Sequence, residues 1–189
     1  MTSLRPARNA FERLLEWIVI ALVVGLTVLI VFGFIFRYLG RSLVWYDELA
    51  SIGLVWLTYY GSALAALRGA HIGVPEFVNA MAPRRRVPVT ILAEALVIVF
   101  FVILAWTGFE VLAVLGGDRM VSLPGVPLRL TQSAIPIGAM LFVLAELLRL
   151  PQRLRDARGA GFMDPELKEA LEHARIVEEG ASGPKGGRA

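Results

Sequence analysis

Cysteine is absent from this chain of 189 residues. That excludes disulfides, thiolate metal sites and cysteine nucleophiles. Histidine is nearly absent, with only His71 and His173. A b-type haem in a four-helix bundle needs axial histidines inside its helices, and neither histidine lies within an apolar run. No Ser/His/Asp arrangement, P-loop, GxGxxG or metal-ligating cluster is visible either, so no catalytic, cofactor or metal site is expected, and the chain is not expected to be an enzyme. Charge is scarce as well, at 19% of residues against 57% hydrophobic. A soluble domain of this size carries more charge, because it has more surface to hydrate. The net charge is only +3, and the basic residues stand beside apolar blocks rather than in a broad patch. Nucleic acid is therefore not an expected partner.

What the chain does have is four apolar blocks, and they point to a bilayer as the solvent. The first, Trp17–Phe36, contains 15 Leu, Ile, Val or Phe residues in 20. At about −0.3 to −0.6 kcal/mol each, its insertion is favoured by several kcal/mol. Arg5, Arg8 and Arg13 before it imitate a signal peptide. The run is too long for a signal core and is followed by no small-residue cleavage site, so an uncleaved first helix is expected. The second block, Leu49–Leu67, follows Trp45, Tyr46, Asp47 and Glu48. Aromatic rings suit headgroup depth, and acids suit the positive end of a helix. The third, Val89–Leu115, has Pro88 beside its first turn, and the fourth, Leu130–Leu150, contains Pro136 and is followed by Pro151. Pro136 should kink that helix or mark a late start.

The expected fold is thus all-α, an integral membrane protein with four transmembrane helices. Its organisation reads as an N-terminal segment over 1–15, a membrane domain over 16–150, and a polar tail over 151–189. Arginine counts give the orientation. Eleven (Arg5, Arg8, Arg13, Arg68, Arg84, Arg85, Arg86, Arg149, Arg153, Arg155, Arg158) flank one side, and four (Arg37, Arg41, Arg119, Arg129) flank the other. By the positive-inside rule both termini are cytoplasmic. Val74–Met81 fits a short interfacial helix or an ordered loop. Asp164-Pro165-Glu166 begins a cytoplasmic helix with Leu167, Ala170, Leu171 and Ala174 on one face, and a Gly-rich end from Gly180 is expected to be disordered. The absence of internal repeats argues against an inverted-repeat transporter within this chain alone.

Ionisable residues near the membrane are the default functional suspects. Glu94 and Glu110 share the third block, sixteen residues and so roughly 24 Å apart along a helix. That spacing places them near opposite interfaces and prevents them from acting as a carboxylate pair. Glu146 and Arg149, three apart, are expected to pair locally, with Glu16 their counterpart on the first helix. Small residues at four-residue spacing recur: Gly61 with Ala65, Ser62 with Ala66, Ala65 with Gly69, and Ala134 with Gly138. They let helices approach closely in lipid, either within the chain or against another subunit. The aromatic stripe Trp56, Tyr59 and Tyr60 reads as packing.

The ordered set Arg37-Tyr38, Trp45, Asp47-Glu48-Leu49, Trp56, Gly61, Ala63, Ala65 and Gly69-Ala70-His71-Ile72 resembles the small membrane subunit, DctQ-like, of tripartite ATP-independent periplasmic (TRAP) transporters. Leu123-Pro124-Gly125-Val126-Pro127 and Ala134-Ile135-Pro136-Ile137-Gly138 are similar to that family's loop and Pro-containing fourth helix. The connection from Arg37 to Trp45 is short and lacks an expected turn asparagine, with Gly40 placed to substitute. The resemblance implies a support subunit of a sodium-coupled importer of organic acids such as dicarboxylates, sugar acids or keto acids. Its partners would be a large membrane subunit on a separate chain, a periplasmic substrate-binding protein that it helps to dock, and membrane lipid. It also marks Arg37, Tyr38, Trp45, Asp47, Glu48, Trp56, Gly61, His71 and Pro136 as interface candidates. From their clustering at one face, Arg37 is expected to pair with Asp47 or Glu48. The alternative is an accessory subunit of another membrane complex, respiratory or transporting, or a small stand-alone transporter.

Overall fold

A computed structural model describes residues 4–69, 81–159, 171 and 173–176. Five helices carry the first two segments: α1 (Leu4–Tyr38), α2 (Tyr46–Arg68), α3 (Pro83–Val114), α4 (Leu128–Gln132) and α5 (Ala134–Arg158). Among the described residues there is no strand, only an isolated bridge between Arg119 and Pro127. Four stretches are long and apolar enough to cross a membrane: Arg8–Tyr38, Tyr46–Arg68, Arg84–Val114 and Leu128–Arg158. This is the all-α, four-span architecture expected from the sequence.

Differences lie at the helix ends, and prolines cause most of them. α3 begins at Pro83, so Pro88 is inside the helix rather than at its start. A proline at the first helical position loses no internal bond, which makes Pro83 the natural opening residue. The fourth span is broken into α4 and α5 at Ser133. Pro136, third in α5, has no N–H to return to the carbonyl of Gln132, so it marks a late start. Pro151 was expected just past the last helix, but α5 runs through it to Arg158. It is exposed, where the carbonyl it releases can meet polar surroundings. The expected 74–81 helix lies outside the described residues except for Met81. Of the expected tail helix, residues 171 and 173–176 are helical, and the rest of it lies outside them.

The described residues fall into two compact units, one of 4–69 with 92–151 and one of 81–91 with 152 onward. The first unit holds a small core of Leu15, Tyr60, Ala63, Leu64, Ala66, Leu67, Phe142 and Ala145. Phe101 stacks on Phe142 with ring centroids 3.8 Å apart, and Trp56 stacks on Tyr60 at 5.5 Å. Alanine and glycine do much of the packing. Ala63, Ala66, Ala134, Ala139 and Ala145 are wholly inaccessible, and a side chain at Gly138 would run into Tyr59. Close approach by small residues replaces the hydrophobic effect as the means of association in lipid. The second unit contains the start of α3, with Thr90 buried, and the end of α5, with Ala157 buried.

Candidate functional site

α2 is held at both ends by polar contacts. At its N-terminal end Trp45 is the N-cap residue and makes no side-chain cap. The Glu48 carboxylate accepts hydrogen bonds from the Ser122 backbone N–H, at 3.2 Å, and from the Ser122 hydroxyl. Ser122 stands in the 115–127 connection, which closes on itself: the Met120 N–H donates to Val126 O at 3.1 Å, and the Leu128 N–H to Asp118 O at 2.9 Å. Met120, 2% exposed, fixes this connection to the unit. Just over two turns along α2 from Glu48, the Trp56 indole donates to the Thr131 carbonyl at 3.2 Å. Thr131 is the penultimate residue of α4, next to the break between α4 and α5 at Ser133.

At the other end Arg68 lies between two acids of α1, 3.0 Å from Glu12 and 3.1 Å from Glu16. Gly69 closes the helix at φ +79°, a left-handed cap that glycine adopts without strain. The Arg149 guanidinium donates to the Ala66 carbonyl at 3.2 Å, a last-turn carbonyl that also accepts the Gly69 N–H at 3.2 Å. From Glu48 to Arg68 is twenty residues, roughly 30 Å of helix. That is about the thickness of the hydrocarbon layer. The two polar clamps are therefore about one hydrocarbon thickness apart, with apolar helix between them.

The expected site residues separate into groups. Glu48, Trp56 and Pro136 are brought into the framework, and Pro136 is buried against Gly108. Arg37, Tyr38 and Asp47 are exposed. The expected pairing of Arg37 with Asp47 or Glu48 is not formed: Glu48 turns instead to Ser122, a donor that brings no second charge needing hydration. Gly40 takes φ +73° in the turn after α1, a conformation glycine and asparagine share. A side chain at Gly61 would meet nothing within 4 Å, so Gly61 is not a close-packing residue within the unit. His71 lies outside the described residues. Glu110 is exposed and accepts a hydrogen bond from the Trp106 indole at 3.0 Å, while Glu94 and Glu146 are 5% and 1% exposed.

Sequence reasoning missed the clamp around Arg68. Glu12 and Glu16 are four apart on α1 and so share a face, and that spacing was the available signal. It also missed Ser122, whose role depends on a contact 74 residues away.

The apolar remainder is unusually open. On α1, Trp17, Val24, Val28 and Phe34 are 57–71% exposed. On α3, Leu92, Leu96, Phe100 and Trp106 are 61–69% exposed. A groove of about 650 Å³ between α1 and α2 is lined by Leu22, Gly25, Leu29, Gly53 and Trp56 among others. Among the described residues no group of acids and histidines is placed to hold a metal.

Residues 26–156 match the family of tripartite ATP-independent periplasmic transporters, DctQ component. The match takes in 131 of the 189 residues, from the middle of α1 to the end of α5. The chain belongs to this family. A stretch of 48 residues is also 40% identical to the C4-dicarboxylate TRAP transporter small permease protein DctQ of Rhodobacter capsulatus. That stretch is 25% of this chain and spans about a fifth (21%) of the relative. A DctQ-family chain with four membrane-length helices is a multi-pass protein of the bacterial inner membrane and a transport component.

Proposed function

We propose that this DctQ-family chain is the small support subunit of a sodium-coupled importer of organic acids. Its task is to hold a large membrane subunit, the part that carries substrate, at fixed depth and orientation. The observation that carries this reading is the two-ended fixing of α2 between Glu48–Ser122 and Glu12–Arg68–Glu16. Polar groups thus gather at the hydrocarbon boundaries while the faces of α1 and α3 stay apolar and open. Such faces suit a helix partner as well as lipid, and Gly61 supplies a notch that nothing in its own unit fills. The interface candidates Arg37, Tyr38, Trp45 and Asp47 gather near the Glu48 end of α2.

The eleven-to-four arginine asymmetry supports a cytoplasmic placement of both termini and of the 151–189 tail, around a 16–150 membrane domain. The Arg37–Trp45 and 115–127 connections would then face the periplasm. Their exposed Tyr38, Val44 and Val121 are 83–93% accessible and suit a role in docking a periplasmic binding protein.

Co-expression with a large TRAP permease subunit, followed by purification in mild detergent, tests the reading. The two chains should copurify, and sodium-driven uptake of an organic acid into proteoliposomes should need both together with the binding protein. Uptake by this chain alone would overturn it.

A further inference from the structure

One face of α3 belongs to the first unit's own bundle, and the contacts settle which. Phe101 stacks on Phe142, and a side chain at Gly108 would stand 3.1 Å from Pro136. Ala105, between them in sequence, is buried. Glu110 follows Gly108 by two residues, about 200° around the helix, so it is turned to the opposite side. There it is exposed, with Ile103, Trp106, Val111 and Val114 exposed around it. Thr107 spends its hydroxyl on Ile103 O at 3.0 Å. Between Val87 and Val114 the ionisable residues are Glu94, which is buried, and Glu110. Glu110 is thus the one ionisable group on the outer face of this span.

The carboxylate is also aimed away from the nearer boundary. Glu110 is four residues, about 6 Å, from the end of α3 at Val114. A side chain seeking water would reach toward that end. Instead Glu110 accepts the Trp106 indole N–H at 3.0 Å, one turn further from it. Ionisable side chains within transmembrane helices face protein or a water-filled cavity and are paired there, because hydrocarbon gives them nothing to bond. The indole is a donor without a charge, and among the described residues no cation pairs with Glu110. The bundle of its own chain lies on the other side of the helix. This orientation calls for a second chain.

We propose that the α3 face around Trp106 and Glu110 seats a transmembrane helix of the large membrane subunit, and that an arginine or lysine on that helix pairs with Glu110. The assignment rests on the reading of this chain as a support subunit. Charge complementarity selects this occupant over lipid. Phospholipid headgroups bring no net positive charge, whereas a guanidinium or ammonium supplies a counter-charge together with strong hydrogen bonds. Trp106 holds the carboxylate in position, and Ile103 and Val114 give the partner helix apolar contact on either side of it.

Copurification of the full chain with the large subunit in mild detergent tests this, beside thermal melts of the full chain alone. The unaltered chain should copurify. Glu110→Lys should lower the recovered complex about tenfold or more, and Glu110→Gln by a smaller factor. Glu110→Asp should retain most of it. The melting temperature of the chain alone should hold in all three, because Glu110 touches nothing in its own bundle. Reversing single arginines and lysines to glutamate in the transmembrane helices of the large subunit should restore the complex of Glu110→Lys at one position. If the unaltered chain copurifies and the Glu110 variants do so equally well, the proposal falls while the support reading stands. Absence of the unaltered complex would sink both. Failure of every reversal to restore Glu110→Lys, or a drop in melting temperature that tracks the loss of complex, would also overturn the proposal.

Discussion

The guanidinium of Arg149 occupies the space that a side chain on residue 69 would need. Arg149 reaches the Ala66 carbonyl only because residue 69 has no Cβ, and residue 69 closes α2 only because glycine accepts φ +79°. Gly69→Ala should therefore fail twice, through left-handed backbone strain and through displacement of the arginine. A loss of about 1–3 kcal/mol is expected, measured as a lowered melting temperature in detergent. Gly61→Ala is the matched control. Its site is open, and alanine is the better helix former, so the melting temperature of the isolated chain should hold or rise. If Gly61→Ala nevertheless weakens copurification with the large subunit, Gly61 lies at that interface.

The clamp at Arg68 predicts a particular non-additivity. One guanidinium serves Glu12 and Glu16, so either acid can hold it when the other is lost. Glu12→Gln or Glu16→Gln alone should cost a few tenths of a kcal/mol, as partly exposed pairs do. The double variant should cost more than the sum of the two, and the excess should shrink in high salt. Strict additivity in thermal melts would mean that Arg68 does not bridge the two.

Much of this architecture was legible in the sequence, because insertion into lipid depends on composition summed over about twenty residues. Single residues hardly affect that sum, so four spans follow from four apolar blocks. Helix ends were less legible. Whether Pro88, Pro136 and Pro151 open, break or merely sit within a helix depends on which neighbouring carbonyls find other donors. Trp56 serving Thr131 from another helix is such a tertiary fact. The clustering of Arg37 with Asp47 and Glu48 in sequence suggested an ion pair, but Glu48 is engaged by Ser122, 74 residues away. Charge proximity along the chain says little once a distant N–H and hydroxyl are better aimed.

That exchange of partners gives a direct comparison. Arg37→Ala should leave the stability of the isolated chain within about 0.5 kcal/mol, as exposed surface changes do. Ser122→Ala removes a hydroxyl donor to a carboxylate and should cost about 1–3 kcal/mol. It should also speed proteolysis within the 115–127 connection. A larger loss from Arg37→Ala than from Ser122→Ala would restore the ion pair as the main contact of Glu48.

The break between α4 and α5 is the last place where one bond carries a testable share. Trp56 is the observed donor to the Thr131 carbonyl, beside a segment where Pro136 cannot supply an N–H. Trp56→Phe keeps most of the ring packing on Tyr60 and deletes only the indole donor. The net cost of such a bond is about 1 kcal/mol, rising if the carbonyl stays buried and unmet. Hydrogen exchange should quicken locally at residues 131–137, with little change at the Arg68 end of α2. If exchange instead quickens equally at both ends, α2 responds as one unit, and the Trp56 bond supports the whole helix rather than the break.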